Sequence, residues 1–187
     1  ECDRLNRLIE RVLDFSRMER SVREYRFEPQ DLGRVVTTAV ESFRPYAEAR
    51  GFLLQLSVEE PLSPVRLDLD AISQVVLNLL TNAVQFSTDE KEIRVRVARE
   101  GAAVVIDVSD RGVGIDPGDL RRVFDKFYST WRRMDDRTQG GLGLGLTLSR
   151  EIARAHGGEI TVRSEVGRSS TFTVTLSCTR VRGSPHT

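Results

Sequence analysis

Two of the chain's three asparagines, Asn78 and Asn82, stand four residues apart in an otherwise apolar stretch. If that stretch is helical, the spacing puts both amides on one face, about one turn apart. Asparagine is a mediocre helix former, so a pair in an apolar helix needs a reason. Either the amides are satisfied at the helix edge, or they form the polar wall of a cleft. In a cleft, an amide carbonyl suits Mg2+ and an amide NH2 suits a phosphate oxygen. Further on, Asp110-Arg111-Gly112-Val113-Gly114-Ile115 follows a strand-like run. An aspartate there is also ordinary turn chemistry. The two glycines let a flat ligand approach the backbone, and the carboxylate can accept from an exocyclic amine such as adenine's. Guanine would present a carbonyl oxygen instead, and two facing acceptors cost about 1–3 kcal/mol. The motif therefore predicts adenine over guanine.

Gly140-Gly141-Leu142-Gly143-Leu144-Gly145-Leu146 opens a further helical pattern, whose free N–H groups and dipole make an anion site. It is not a Walker A loop, because no Lys-Ser/Thr follows Gly145. Nor is it a dinucleotide fingerprint, since no strand precedes it and its glycines alternate. The protein-kinase catalytic loop is missing as well, as neither His156 nor His186 precedes Arg-Asp. Phe124-Asp125-Lys126-Phe127-Tyr128 leads into a polar stretch, Ser129 to Gln139, that carries Arg132, Arg133 and Arg137. A cationic loop ending in glycines reads as a lid over phosphates, or as a plain solvated loop. Trp131 is out of place in the second reading.

Elements that position these residues follow from periodicity and caps. Leu5, Leu8, Val12 and Phe15, widened by Ile9 and Leu13, make the apolar stripe of a first helix. A stripe this apolar at a chain end suits partner helices, as in a bundle or a dimer, or docking on its own domain. Its abrupt start leads us to expect a fragment of a longer protein. Phe27-Glu28-Pro29 breaks the pattern, Asp31 caps a helix from Leu32 to Ala49, and Gly51 stops it. Phe52 to Val58 alternates as a strand, with Val65 to Leu67 a shorter candidate. Asp68 or Asp70 caps the asparagine-bearing helix, whose buried face is Ile72, Val75, Val76, Leu79, Leu80 and Ala83. Ile93 to Ala98 and Ala103 to Val108 flank a Gly101 turn as a hairpin. A helix from Leu144 to Ala155 ends at Gly157, and Glu159 to Ser164 pairs with Thr171 to Leu176. Without a clean βαβ series, the pattern favours an α+β layer with helices on one sheet face.

Composition narrows the classes. The 187 residues carry 28 Lys plus Arg against 28 Asp plus Glu, which argues against a nucleic-acid surface. No apolar run approaches the roughly 20 residues of a membrane span, and no secretory pattern opens the chain. Two cysteines, Cys2 and Cys178, are too few for a disulfide scaffold or a zinc module and suit a reducing compartment.

Taken in order, Asn78-x-x-x-Asn82, Asp110-x-Gly-x-Gly, Phe124-x-x-Phe127 and Gly141-x-Gly-x-Gly resemble the N, G1, F and G2 boxes of the sensor histidine kinase catalytic domain. Ala155-His156-Gly157-Gly158 and Gly167-x-x-Ser170-Thr171-Phe172 are similar to that family's closing strands. The resemblance divides the chain into residues 1–22, like the end of a dimerisation and phosphoacceptor helix, a catalytic domain over 23–178, and a tail over 179–187. It implies the two-layer α/β sandwich of the Bergerat ATP-binding (GHKL) type, with a mixed sheet, helices on one face, and ATP and Mg2+ as ligands.

The same resemblance implies roles. Asn82 would hold Mg2+, Asn78 would line the phosphate side, and Asp110 would take the adenine amine. Gly112 and Gly114 would pass under the ring, and Gly141, Gly143 and Gly145 would wrap the phosphates. Lys126 and a lid arginine would face the γ-phosphate, which makes Asn78 and Lys126 the catalytic pair. Ile115, Tyr128, Leu142, Leu144 and Leu146 complete the nucleotide-binding set, with Thr171 supporting Asp110 from the neighbouring strand. Related gyrase-, mismatch-repair- and chaperone-type ATPases place a glutamate where Asn78 stands. An amide cannot act as a general base, so transfer to an imidazole is expected rather than attack by water.

The implied partners are the phosphoacceptor-histidine hairpin of the same parent protein, the receiver domain of a response regulator and a second subunit of a homodimeric parent, without nucleic acid. A cytoplasmic location is expected for this segment. The acceptor histidine itself is absent from the chain, so autophosphorylation alone is not expected, and His156 reads as a packing residue. Gln85 stands where relatives often carry a cation, and Leu142 replaces a small residue. These departures leave a non-enzymatic nucleotide-binding or interaction module as the alternative.

Overall fold

The computed structural model describes residues 24–59, 61–87, 90–128 and 143–177. The expected first helix, the lid with Trp131, Gly141, Leu142 and the tail lie outside the described residues. A short strand β1 (Glu28–Gln30) leads into helix α1 (Leu32–Glu48), and β2 (Leu53–Val58) and β3 (Val65–Leu67) follow. Next come helix α2 (Leu69–Phe86), the hairpin β4 (Glu92–Glu100) and β5 (Ala103–Asp110), and helix α3 (Gly145–Ala155). The last pair is β6 (Glu159–Glu165) and β7 (Ser169–Ser177).

Each helix begins and ends for a local reason. The Asp31 carboxylate accepts from the Arg34 N–H at 3.2 Å and starts α1. Asp68, not Asp70, caps α2, accepting from the Ala71 N–H at 2.8 Å. At the end of α3, Gly157 takes a φ of +69°. Its N–H reaches the Arg154 carbonyl while the Gly158 N–H reaches Ala153, a closure that only the Gly157 conformation allows without strain.

Five strands form one mixed sheet in the order β2-β4-β5-β7-β6, with β2 parallel to β4 and every other pair antiparallel. Period-two alternation sorts its faces. Ile93, Val95, Val97, Val104, Ile106, Val108, Phe172, Val174 and Leu176 are buried against the helices. The other face is polar: Arg96 bonds Glu59, Glu100 and Asp107, and Thr173 donates to Asp107. α2 lies between α1 and α3 and presents Ala71, Ile72, Val75, Val76, Leu79, Leu80 and Ala83 to the core. The expected two-layer sandwich with helices on one face is the observed one. What the sequence reading lacked is β1, which pairs antiparallel with β3 in a separate two-stranded sheet. Three residues ending a stretch broken by Pro29 show no alternation, and their partner lies more than thirty residues away.

Candidate functional site

The core layer between α2 and the sheet ends in polar groups. α2 carries both asparagines on its partly exposed side, beside α3. The Asn78 amide donates to the Gly145 carbonyl at 3.4 Å and to the Ser149 hydroxyl at 3.3 Å. Asn78 thereby fastens α2 to the first turn of α3. α3 begins without a side-chain cap, as Leu144 offers none. Asn82, one turn further along, is half-buried, and among the described residues no hydrogen bond holds it.

Asp110 ends β5 on the helix-facing side and is only 5% exposed. Burial pushes its carboxyl up to about 6, and the N–H groups of Gly112 and Ser170 work against that shift. Among the described residues its Oδ1 has no hydrogen-bond partner. A buried acceptor left open costs free energy unless a ligand or water completes it.

The loop after Asp110 is stitched down on two sides. The Val113 N–H donates to the Phe86 carbonyl at the end of α2, and its carbonyl accepts from Gly167 in the β6–β7 turn. The Ile115 N–H donates to the Ser164 hydroxyl at 2.8 Å. A Cβ at Gly112 would run into the Phe86 carbonyl and sit 2.7 Å from Asp110 Oδ1. At Gly114, whose φ is +68°, it would strike the Glu165 backbone. These close approaches of the chain to itself already require glycine at both positions.

Phe124 is buried, and its carbonyl accepts from the Thr147 hydroxyl of α3 at 2.9 Å. Lys126 is exposed. Phe127 is 63% exposed, and among the described residues it is the one non-glycine with positive φ, +61°. The Tyr128 hydroxyl donates to Asp119 at 2.6 Å, with the Arg122 guanidinium over its ring. A Cβ at Gly143 would meet the Tyr128 carbonyl, which places Gly143 directly on the Phe127–Tyr128 backbone. Leu144 and Leu146 are half-buried at the start of α3.

The expectation for Thr171 needs correction. β7 puts Thr171 opposite Ser109, and their hydroxyls meet at 2.9 Å on the helix-free face of the sheet. Opposite Asp110 stands Ser170, which is 5% exposed and shares the helix-facing side. Ser170 supports Asp110 through its backbone N–H, while its hydroxyl meets that of Ser164 at 3.0 Å. Carrying the alternation back from the buried Phe172 would have found it. A second residue passed over in the sequence is Ser87, the C-cap of α2, only 8% exposed and with its hydroxyl unpartnered among the described residues.

His156 has the packing role expected of it. Its Nε2 accepts from the Asp68 N–H at 3.0 Å and its Nδ1 donates to the Ile152 carbonyl at 2.7 Å. The rings of Tyr25 and Phe27 lie 5.2 and 4.8 Å from its centroid. It joins the end of α3 to the start of α2, far along the helix from Asp110.

Residues 67–180 match the family model described as histidine kinase-, DNA gyrase B- and HSP90-like ATPase. The chain belongs to this family. Within it, the chain is 37% identical over 176 residues to the alginate biosynthesis sensor protein KinB of Pseudomonas aeruginosa, covering 94% of this chain and 29% of that protein. It is 34% identical over 184 residues to the sensor histidine kinase MtrB of Mycobacterium leprae, covering 96% and 32%. The chain thus spans less than a third of the length of these relatives. Among solved structures, full-length ShkA in complex with AMPPNP superposes with a TM-score of 0.79 at 28% identity, over 93% of this chain and 36% of that one. The catalytic domain of the histidine kinase ThkA shares the fold at a TM-score of 0.70 and 23% identity, covering 81% and 95%. Membership makes this an ATP-binding ATPase fold, and the family's mixed sheet and helical layer are those described above.

Proposed function

We propose that this chain is the ATP-binding, phosphate-donating segment of a two-component sensor kinase. It passes the γ-phosphate of ATP to a histidine that the chain does not contain, for relay to a response-regulator aspartate. The observation that carries the reading is Asp110: a carboxylate buried at the helix-facing end of β5, with one oxygen left open. That oxygen fits the exocyclic amine of adenine, the donor that a nucleotide site must accept. Asn78 supports the kinase side of the reading. Its amide bonds Gly145 and Ser149 and offers no carboxylate to activate water.

In this reading Asn82 holds Mg2+ through its carbonyl. Among the described residues no group of three or more His, Cys, Asp or Glu gathers for a metal. The ion would therefore rest on an amide and on the phosphates it accompanies, where it would neutralise developing charge. Lys126 and a lid arginine face the γ-phosphate, and Gly141, Gly143 and Gly145 surround the phosphates with N–H groups. Tyr128, Ile115, Leu142, Leu144 and Leu146 line the nucleotide, and Ser170 takes over the role first given to Thr171. Residues 1–22 are the end of the dimerisation helix, 23–178 the catalytic domain and 179–187 a tail. The partners are the phosphoacceptor hairpin of a homodimeric parent and a receiver domain. The segment is placed in the cytoplasm; no helix among the described residues is long and apolar enough to cross a membrane.

The experiment is phosphotransfer from γ-labelled ATP to a separately made helical hairpin bearing the acceptor histidine. Acid-labile label on the hairpin is expected, with none on this chain alone. Steady release of inorganic phosphate with no labelled hairpin would turn the reading to a hydrolase.

A further inference from the structure

We propose that Ser87 reads the ring nitrogen of adenine that lies beside the amine accepted by Asp110. The proposal deepens the nucleotide reading above and rests on it. Among the described residues, the buried side-chain polar atoms without a partner are Asp110 Oδ1 and Ser87 Oγ. Both belong to residues more than nine-tenths buried, and both stand at the same end of the core. Ser87 continues the core-facing stripe of α2, four residues after the buried Ala83. A Cβ placed at Gly112 would lie 2.7 Å from Asp110 Oδ1 and 2.8 Å from the Phe86 carbonyl carbon, the atom bonded to the Ser87 nitrogen. The Asp110 carboxylate therefore lies beside the peptide bond that joins Phe86 to Ser87.

The local backbone explains why Ser87 is open. Thr37 and Thr81 return their hydroxyls to the carbonyl four residues earlier, each at 2.7 Å. Ser87 has left the helix, with φ −91° and ψ 131°, and its hydroxyl makes no such return bond. A buried hydroxyl without a partner is costly unless something else completes it. The Watson–Crick edge of adenine sets a donor, the exocyclic amine, next to an acceptor, N1. Asp110 can only accept when ionised, whereas the Ser87 hydroxyl can donate. One acceptor and one donor side by side complement that edge.

The test is equilibrium binding of ATP and 1-deaza-ATP, which lacks the N1 lone pair, to the wild-type chain, Ser87→Ala and Asp110→Asn. Ser87→Ala should weaken ATP about threefold to tenfold, the size of one hydrogen bond, while wild type and Ser87→Ala bind 1-deaza-ATP alike. Thermal melting of Ser87→Ala should match or exceed wild type, because an unpartnered hydroxyl is removed; this separates lost recognition from lost folding. An unchanged ATP affinity, or an equal loss for both nucleotides, would overturn the assignment to Ser87 while leaving Asp110 in place if Asp110→Asn still loses ATP. Absence of ATP binding by the folded wild-type chain would overturn both.

Discussion

The two ends of the α2–α3 pair bury polar groups in opposite ways. At the start of α2, His156 has both ring nitrogens engaged, and the Asp68 carboxylate accepts from the Ala71 and Arg26 N–H groups. Everything there is closed by the chain itself, and Tyr25 and Phe27 cover it. At the far end, Asp110 and Ser87 each bury an open polar atom, and Asn82 bonds nothing among the described residues. Closed polar clusters specify architecture. Open ones in a well-packed fold mark the place where stability is given up for a ligand.

The comparison breaks most sharply if the closed end proves important for binding. His156→Ala removes a buried ring and leaves the Asp68 N–H unpaired, and should destabilise the fold by about 2–4 kcal/mol in denaturant unfolding. ATP affinity of the folded protein should stay within about twofold, because the proposed nucleotide site lies at the other end. Asp110→Asn should do the reverse. ATP affinity falls about 30- to 100-fold, the worth of a hydrogen bond to a charged acceptor, as calorimetry would show. The unliganded variant, however, melts higher. Asp110 binds its proton more tightly folded, at about 6, than at the 3.8 of an ordinary aspartate. Its contribution therefore favours the fold below pH 3.8 and is lost as pH rises to about 6, and at pH 7 the buried charge is a burden of roughly 1–3 kcal/mol. Removing the charge relieves it.

Acidification sharpens the same contrast without mutation. A protonated Asp110 would set an O–H donor against the amine, so ATP affinity should fall about tenfold between pH 7 and pH 5 in titrations of wild type, and not in Asp110→Asn. The smallest effect is expected at the metal. Asn82→Ala should keep nucleotide binding and lose about threefold of its enhancement by Mg2+, measured by repeating the titration in chelator.

How much of this was legible in the sequence depended on distance along the chain. The Asp31 cap, the Gly157 stop, the β4–β5 hairpin and the apolar face of α2 are local patterns legible in the sequence, whereas the α2 cap is legible only as Asp68 or Asp70. β1 was missed because its pairing with β3 is non-local. The resemblance points to Thr171 as support for Asp110, although the strand period sends its side chain to the helix-free face. Gly112 and Gly114 were credited to a ligand's approach, yet Phe86 and Glu165 already demand them. Ser87 gave no signal, since a serine after a helix looks like any C-terminal residue until its burial is known. Asn78 and Asn82 stood out because polar residues in an apolar helix conflict with their surroundings, and such conflicts are where function is written.

The most direct measurement is calorimetric titration of the chain with ATP, ADP and GTP, each with and without Mg2+. The account predicts binding of both adenine nucleotides, enhancement of ATP binding by Mg2+, and a GTP affinity lower by at least about tenfold for the facing acceptors at Asp110. Equal affinity for GTP and ATP, or no binding at millimolar ATP by a folded sample, would contradict it.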